Sequence, residues 1–157
     1  VKRQSMIMRE DKNGAGVDQS KMERRWLFHG TGSAEAVESI IENPRSGFAP
    51  HLHLGAGGTN LWGYGSYFAR DASYSIHAGY GRNCRDEEGN KMLLLCLVEC
   101  GLSCVGEGHI NIIPKTHQPQ GKPRLPYMSF VDYAANPEIF VTNGEQAYPA
   151  YIIHFDD

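Results

Sequence analysis

His29-Gly30-Thr31, followed well downstream by Gly65-Ser66-Tyr67-Phe68-Ala69, is the part of this chain best suited to chemistry. A histidine and a tyrosine, each on or beside a glycine-flanked backbone, can grip a flat ligand that carries an amide. The absent side chain of Gly30 lets a ligand approach the main chain closely, although a tight strand exit would explain the same residue. Ser75 adds a hydroxyl and Tyr80 a second aromatic face. Taken singly, each of these residues has an ordinary explanation: a core histidine satisfied by backbone, a core aromatic, an exposed helical serine. Their order and combination carry the information.

These residues need elements to hold them. Trp26-Leu27-Phe28 is a short apolar run that reads as a strand delivering His29. Ser33 can cap a helix over Ala34–Glu42, with Val37, Ile40 and Ile41 on one face and Asn43-Pro44 as the stop. Residues 46–65 read as a glycine-rich loop, Ser66–Ala69 as a short strand and Ala72–Ala78 as a helix with Asp71 near its start. Met92–Val98 is the strongest apolar run and suits a strand buried on both faces. The prolines at 114, 119, 123 and 126 mark a surface loop. Glu138–Thr142 and Gln146–Phe155 read as strands around Asn143-Gly144, a strong hairpin signal. Pro149 then has to sit at an edge or bulge. Strands outnumber helices without regular alternation, which predicts an α+β fold rather than a doubly wound sheet.

Composition narrows the class. The 157 residues are 41% hydrophobic with a formal charge of -3, enough for one domain with a real core. The near-neutral balance gives no basic footprint for duplex nucleic acid. No apolar run approaches the length that spans a bilayer, and no secretory leader is recognisable. Three of the four cysteines, Cys96, Cys100 and Cys104, are spaced by four, and Cys84 stands apart. That is no zinc spacing, so free thiols in a cytosolic or nuclear compartment are expected. His51 and His53 alternate as on an extended segment and lack further ligands, so no metal site is expected. There is no GxGxxG after a strand and no GxxxxGK[ST], so a nucleotide here is not held in the Rossmann or P-loop manner.

The combined motifs resemble the diphtheria-toxin-like ADP-ribosyltransferases, the class that includes the poly(ADP-ribose) polymerases. The resemblance runs through Lys12-Asn13-Gly14, Leu27-Phe28-His29-Gly30-Thr31, Gly65 to Ser75, and Gln146-Ala147-Tyr148-Pro149 with Tyr151-Ile152-Ile153. It implies the split β-sandwich of that class, two antiparallel sheets with flanking helices. It implies one catalytic domain over residues 1–157 that lacks the family's first strand and helix. It implies NAD+ as co-substrate, with no metal. By the resemblance, His29 hydrogen-bonds a ribose hydroxyl, with Thr31 as a lesser contributor. Gly30 and Ser75 hold the nicotinamide amide, Tyr67 and Tyr80 pack the two sides of its ring, and Leu54 to Tyr64 covers the donor. Tyr74 is set aside because its spacing from Phe68 turns it away from the stacking position. The chemistry suits such residues. Nicotinamide leaves from a positively charged nitrogen, and orienting the donor can supply about 7–11 kcal/mol of a barrier in favourable cases.

The third position of the resemblance reads two ways. Counting back from Gln146 puts Glu138 there, as in the polymerising members, where a carboxylate activates an incoming sugar hydroxyl. Matching Asn136-Pro137-Glu138-Ile139-Phe140-Val141 instead puts Ile139 there, as in the mono-ADP-ribosylating branch. Adjacent strand residues face opposite ways, so only one can hold. The text around Val131-Asp132 and Asn136-Pro137 favours Ile139. The expectation is therefore an NAD+-dependent transferase adding one ADP-ribose per site to protein side chains, working beside other domains of a longer chain. The alternatives are a polymerase using Glu138, or a silent module that binds NAD+ or a partner. A phosphotransferase of related fold lacks a basic phosphate-gripping set here.

Overall fold

The computed structural model describes residues 23–48, 61–77, 81, 83–108 and 127–156. The polar opening, His51, His53, Tyr80 and the proline-rich stretch lie outside the described residues. The elements in chain order are β1 (Arg24–His29), α1 (Ala34–Glu42), α2 (Pro44–Gly47), β2 (Ser66–Ala69) and α3 (Ala72–His77). They continue with β3 (Lys91–Glu99), β4 (Ser103–Val105), β5 (Ser129–Val131), β6 (Ile139–Thr142), a 3₁₀ turn (Gly144–Gln146) and β7 (Ala147–Phe155). The fold is α+β, with more strand than helix. Among the described residues no helix is long and apolar enough to cross a membrane.

The seven described strands form one sheet in the order β4-β5-β6-β2-β1-β3-β7. β4 and β5 run parallel; the other neighbours are antiparallel. Two separate sheets were expected; one sheet with a narrow seam is observed. At that seam β1 and β2 share a single partner pair, Phe28 with Ala69. β1 by contrast pairs with β3 along its whole length, from Arg24 opposite Glu99 to His29 opposite Leu94.

Local chemistry explains the elements around it. Ser33 caps α1, its hydroxyl accepting from the Ala36 N–H at 3.3 Å, and Val37 and Ile40 are the buried stripe. The helix stops at Asn43-Pro44, and the chain resumes as the short turn α2. Phe48 behind it is fully buried, and its carbonyl receives the Ser66 hydroxyl, which ties Phe48 to β2. Apolar clusters cover both faces around β2 and β6, whereas Trp26, Tyr148 and Tyr151 stay exposed on one face of β1, β3 and β7. Leu27, Val37, Ile40, Phe48, Phe68, Leu94 and Phe140 belong to one apolar cluster. Phe130, Ile139 and Val141 form a second, against which Trp62, Tyr67 and Cys104 pack.

The end of the chain departs from the hairpin that Asn143-Gly144 suggested. β6 pairs with β2 and β5, whereas β7 crosses to the far edge and pairs with β3. Asn143 caps the 3₁₀ turn through its side chain instead of turning a hairpin. Gly144 is small because Phe48 packs on it: a Cβ there would come 2.6 Å from Phe48 Cβ. Gln146 is buried and stitches the crossover, donating to the carbonyls of Glu99 at 2.8 Å and Met128 at 2.9 Å. Pro149 lies on the edge strand beside the register shift between Leu95 and Cys96, where its missing N–H is tolerated.

Candidate active site

His29 ends β1 and is buried. Its Nδ1 lies 2.7 Å from the Tyr67 carbonyl oxygen. A carbonyl can only accept, so this nitrogen carries a proton, and in the neutral ring Nε2 is the acceptor. The imidazole packs edge-on to Phe48, with centroids 5.2 Å apart, and against Phe68 at 5.1 Å. Those neighbours lie on the side of β2 opposite the Tyr67 ring, because Tyr67 and Phe68 alternate. His29 and Tyr67 are therefore joined through backbone at the seam, and their rings flank it.

Gly30 follows His29 and touches α3. A Cβ at Gly30 would lie 2.8 Å from the Ser75 carbonyl oxygen and 2.9 Å from the Gly81 nitrogen. The Gly81 N–H donates to that same Ser75 carbonyl at 3.1 Å. Ser75 is buried, not an exposed helical serine, and its hydroxyl donates to the Phe28 carbonyl at 3.3 Å. Main chain from β1 and a hydroxyl from α3 thus converge beside one glycine. Thr31 is buried as well, with Oγ1 3.0 Å from the Ser33 carbonyl and 3.3 Å from Cys84 Sγ. Its hydroxyl is turned inward, toward the start of α1.

Tyr67 stands on the other face. Its hydroxyl donates to the Gly63 carbonyl at 2.7 Å and accepts from the Trp62 N–H at 3.1 Å. The phenol thereby holds the chain just before β2. Gly63 has φ 108°, a left-handed conformation that side chains resist. Trp62 in turn approaches Tyr133, with ring centroids 6.2 Å apart.

The two candidates for the third position separate cleanly. Ala69 is opposite Ile139 and Tyr67 opposite Val141, and opposed residues share a face. Ile139 therefore lies on Tyr67's side of the sheet, buried against the cluster that Tyr67 joins. Glu138 precedes β6 and is occupied elsewhere. Its Oε2 is 2.8 Å from Arg70 Nη2, and its Oε1 accepts from the Asp71 N–H at 3.2 Å. The Arg70 N–H donates to the Glu138 carbonyl at 2.8 Å. Arg70 Nη1 also reaches Asn136 Oδ1 at 2.6 Å and the Pro137 carbonyl at 3.1 Å. Burial pushes the Glu138 carboxyl up, and the Asp71 carboxylate beside it adds to that. Asp71 is held down by its hydrogen bond to Arg70.

Sequence reasoning missed Asp132. It is buried directly after β5, and its Oδ1 accepts from the N–H groups of Tyr133 at 2.9 Å, Glu138 at 3.0 Å and Ile139 at 3.1 Å. In the sequence it enters only as part of the Val131-Asp132 text, an acid at a strand end before a turn, with no role of its own.

Known proteins bear on this arrangement. The family model of the poly(ADP-ribose) polymerase catalytic domain matches residues 1–123. The human protein mono-ADP-ribosyltransferase PARP14 is 34% identical over 137 residues, covering 85% of this chain and 7% of that protein. Mouse protein mono-ADP-ribosyltransferase PARP12 is 33% identical over 153 residues, covering 97% of this chain and 19% of that protein. Human protein mono-ADP-ribosyltransferase PARP11 is 33% identical over 168 residues, covering 92% of this chain and 44% of that protein. The chain thus spans less than half the length of each of these relatives. With a family match over residues 1–123 of its 157, the chain belongs to the poly(ADP-ribose) polymerase catalytic domain family.

Proposed function

We propose that this domain breaks the bond between nicotinamide and ribose in NAD+ and transfers one ADP-ribose unit to a protein side chain. The observation that carries the single-unit reading is the register of β6. It turns Ile139 to the Tyr67 face while Glu138 is tied to Arg70. An apolar residue cannot remove a proton from an incoming sugar hydroxyl, so the product is not elongated. The family relationship and the mono-ADP-ribosyltransferase names of the relatives support the same reading.

The donor lies across the β1–β2 seam. Gly30 backbone and Ser75 hold the carboxamide, the Tyr67 ring and Tyr80 pack the pyridinium, and His29 steadies a ribose hydroxyl through its acceptor nitrogen. Thr31 supports the turn into α1. A π-face beside a cationic ring is favourable. The C1′–N bond breaks with its electron pair leaving on nicotinamide. An acceptor oxygen then bonds C1′. An acidic acceptor enters already deprotonated, which supplies the carboxylate that Ile139 lacks. On this reading the narrow seam separates the two halves of a split sandwich. The domain serves within a longer cytoplasmic or nuclear chain, and its partners are acceptor proteins and neighbouring domains rather than duplex nucleic acid, membrane or metal.

Incubation with labelled NAD+ tests the proposal. One added unit per site is expected, with labelling lost in His29→Ala and Tyr67→Ala variants that still fold. A ladder of products points to the polymerase, and no label with retained NAD+ binding points to a silent module.

A further inference from the structure

We infer that Asp132 is the positioning residue that keeps Ile139, and not Glu138, on the Tyr67 face. The inference rests on the reading of Ile139 as the third position of the site. Asp132 is 6% exposed, and one of its carboxylate oxygens gathers three backbone N–H groups. Two of these are the N–H groups of Glu138 and Ile139, the two residues whose exchange would change the chemistry. Strand side chains alternate, so a slip of one residue in β6 carries Glu138 to the Tyr67 face and Ile139 away from it. Three N–H groups gathered on one buried oxygen fix the backbone at the entry of β6.

A second clamp grips the turn from outside, through Arg70 to Asn136, Pro137 and Glu138. The Arg70 and Glu138 side chains are 36% and 24% exposed, and pairs so open to water hold weakly. Asp132 is the inner pin, holding the entry of β6 in the register in which it pairs with β2 and β5. It touches no substrate; it acts through the backbone of Ile139.

The test compares Asp132→Ala with Asp132→Asn, which keeps an acceptor oxygen in place. Backbone amide exchange is followed at Glu138 and Ile139, and kcat is followed against KM for NAD+. In Asp132→Ala, exchange at those two amides is expected to rise by about tenfold or more, the size of leaving a buried N–H without its acceptor, while protection in β1 and β3 is kept. A fall in kcat of about tenfold with KM nearly unchanged is expected, since the Gly30 and Ser75 end of the site is untouched. Asp132→Asn is expected to restore most of both. Should Asp132→Ala fail to fold, Asp132→Ser, whose shorter hydroxyl reaches fewer of the N–H groups, is expected to show the same local exchange. Unchanged protection at Ile139 in the Ala or Ser variant overturns the inference, as does an Asn variant no better than Ala. If the wild type transfers nothing, the functional reading fails while the exchange experiment still judges the pin.

Discussion

Arg70 and Glu138 hold each other twice, guanidinium to carboxylate at 2.8 Å and N–H to carbonyl at 2.8 Å. A glutamate so engaged is a surface clamp on the turn before β6. Its neighbour Ile139, opposite Ala69, is left on the same sheet face as Tyr67. The chemistry proposed for this domain follows from that division.

Gly30→Ala should abolish transfer and destabilise the fold together. The new Cβ meets backbone at 2.8 Å and 2.9 Å, and backbone cannot swing aside as a side chain can. Overpacking of this kind costs about 1–3 kcal/mol. Thermal unfolding and labelling with NAD+ check both effects; a variant with wild-type Tm and activity removes Gly30 from the site.

Tyr67→Phe should separate two roles of one side chain. The ring is kept, but the hydroxyl that binds Trp62 and Gly63 is lost. Stability is expected to fall by about 1 kcal/mol, and KM for NAD+ to rise up to about tenfold as the preceding loop loosens. Titration of initial rates against NAD+ reads this directly. An unchanged KM means the clamp does not serve donor binding.

Much of this was legible beforehand. β1 ending at His29, the Ser33-capped α1, β2 and the long buried β3 follow from apolar spacing and caps, which are local. Long-range pairing was not. Asn143-Gly144 signals a hairpin only if the flanking strands pair, and packing of Gly144 on Phe48 with the stitching by Gln146 sends β7 to the other edge instead. The short strands β4 and β5 carry too few residues to show a period. Ile139 was favoured from local text, yet its face could be known only from register with β2. Asp132 stayed hidden because its three partners span from the next residue to seven residues on, brought together by the turn.

Cys96 and Cys100 should be inert thiols in the native protein. Burial pushes both from the usual 9.0 up to about 12. A raised pKa means the folded state holds its proton longer than the unfolded one. The stabilisation is complete below about pH 9 and is lost between about 9 and 12, at about 1.4 kcal/mol per pH unit for each thiol. Alkylation at pH 8 should leave both unmodified until denaturant is added, and Tm should fall as pH rises above 9. Rapid modification of either in the folded state contradicts the burial argument.

Ile139→Val should be tolerated and Ile139→Ala should not. Ile139 is 3% exposed among Phe130 and Val141. Removing one methylene costs about 0.5–1.5 kcal/mol, and truncation to alanine about 2–5 kcal/mol. Denaturant unfolding separates the two, and equal losses would mean the site collapses around the gap.

The most direct measurement is the mass of an acceptor protein after incubation with NAD+ and either wild type or Glu138→Gln. An increment of one ADP-ribose per modified site is expected with both enzymes, at similar rates, because Glu138 serves only the turn. Longer chains from wild type that shorten to single units with Glu138→Gln would contradict it and hand the third position to the glutamate.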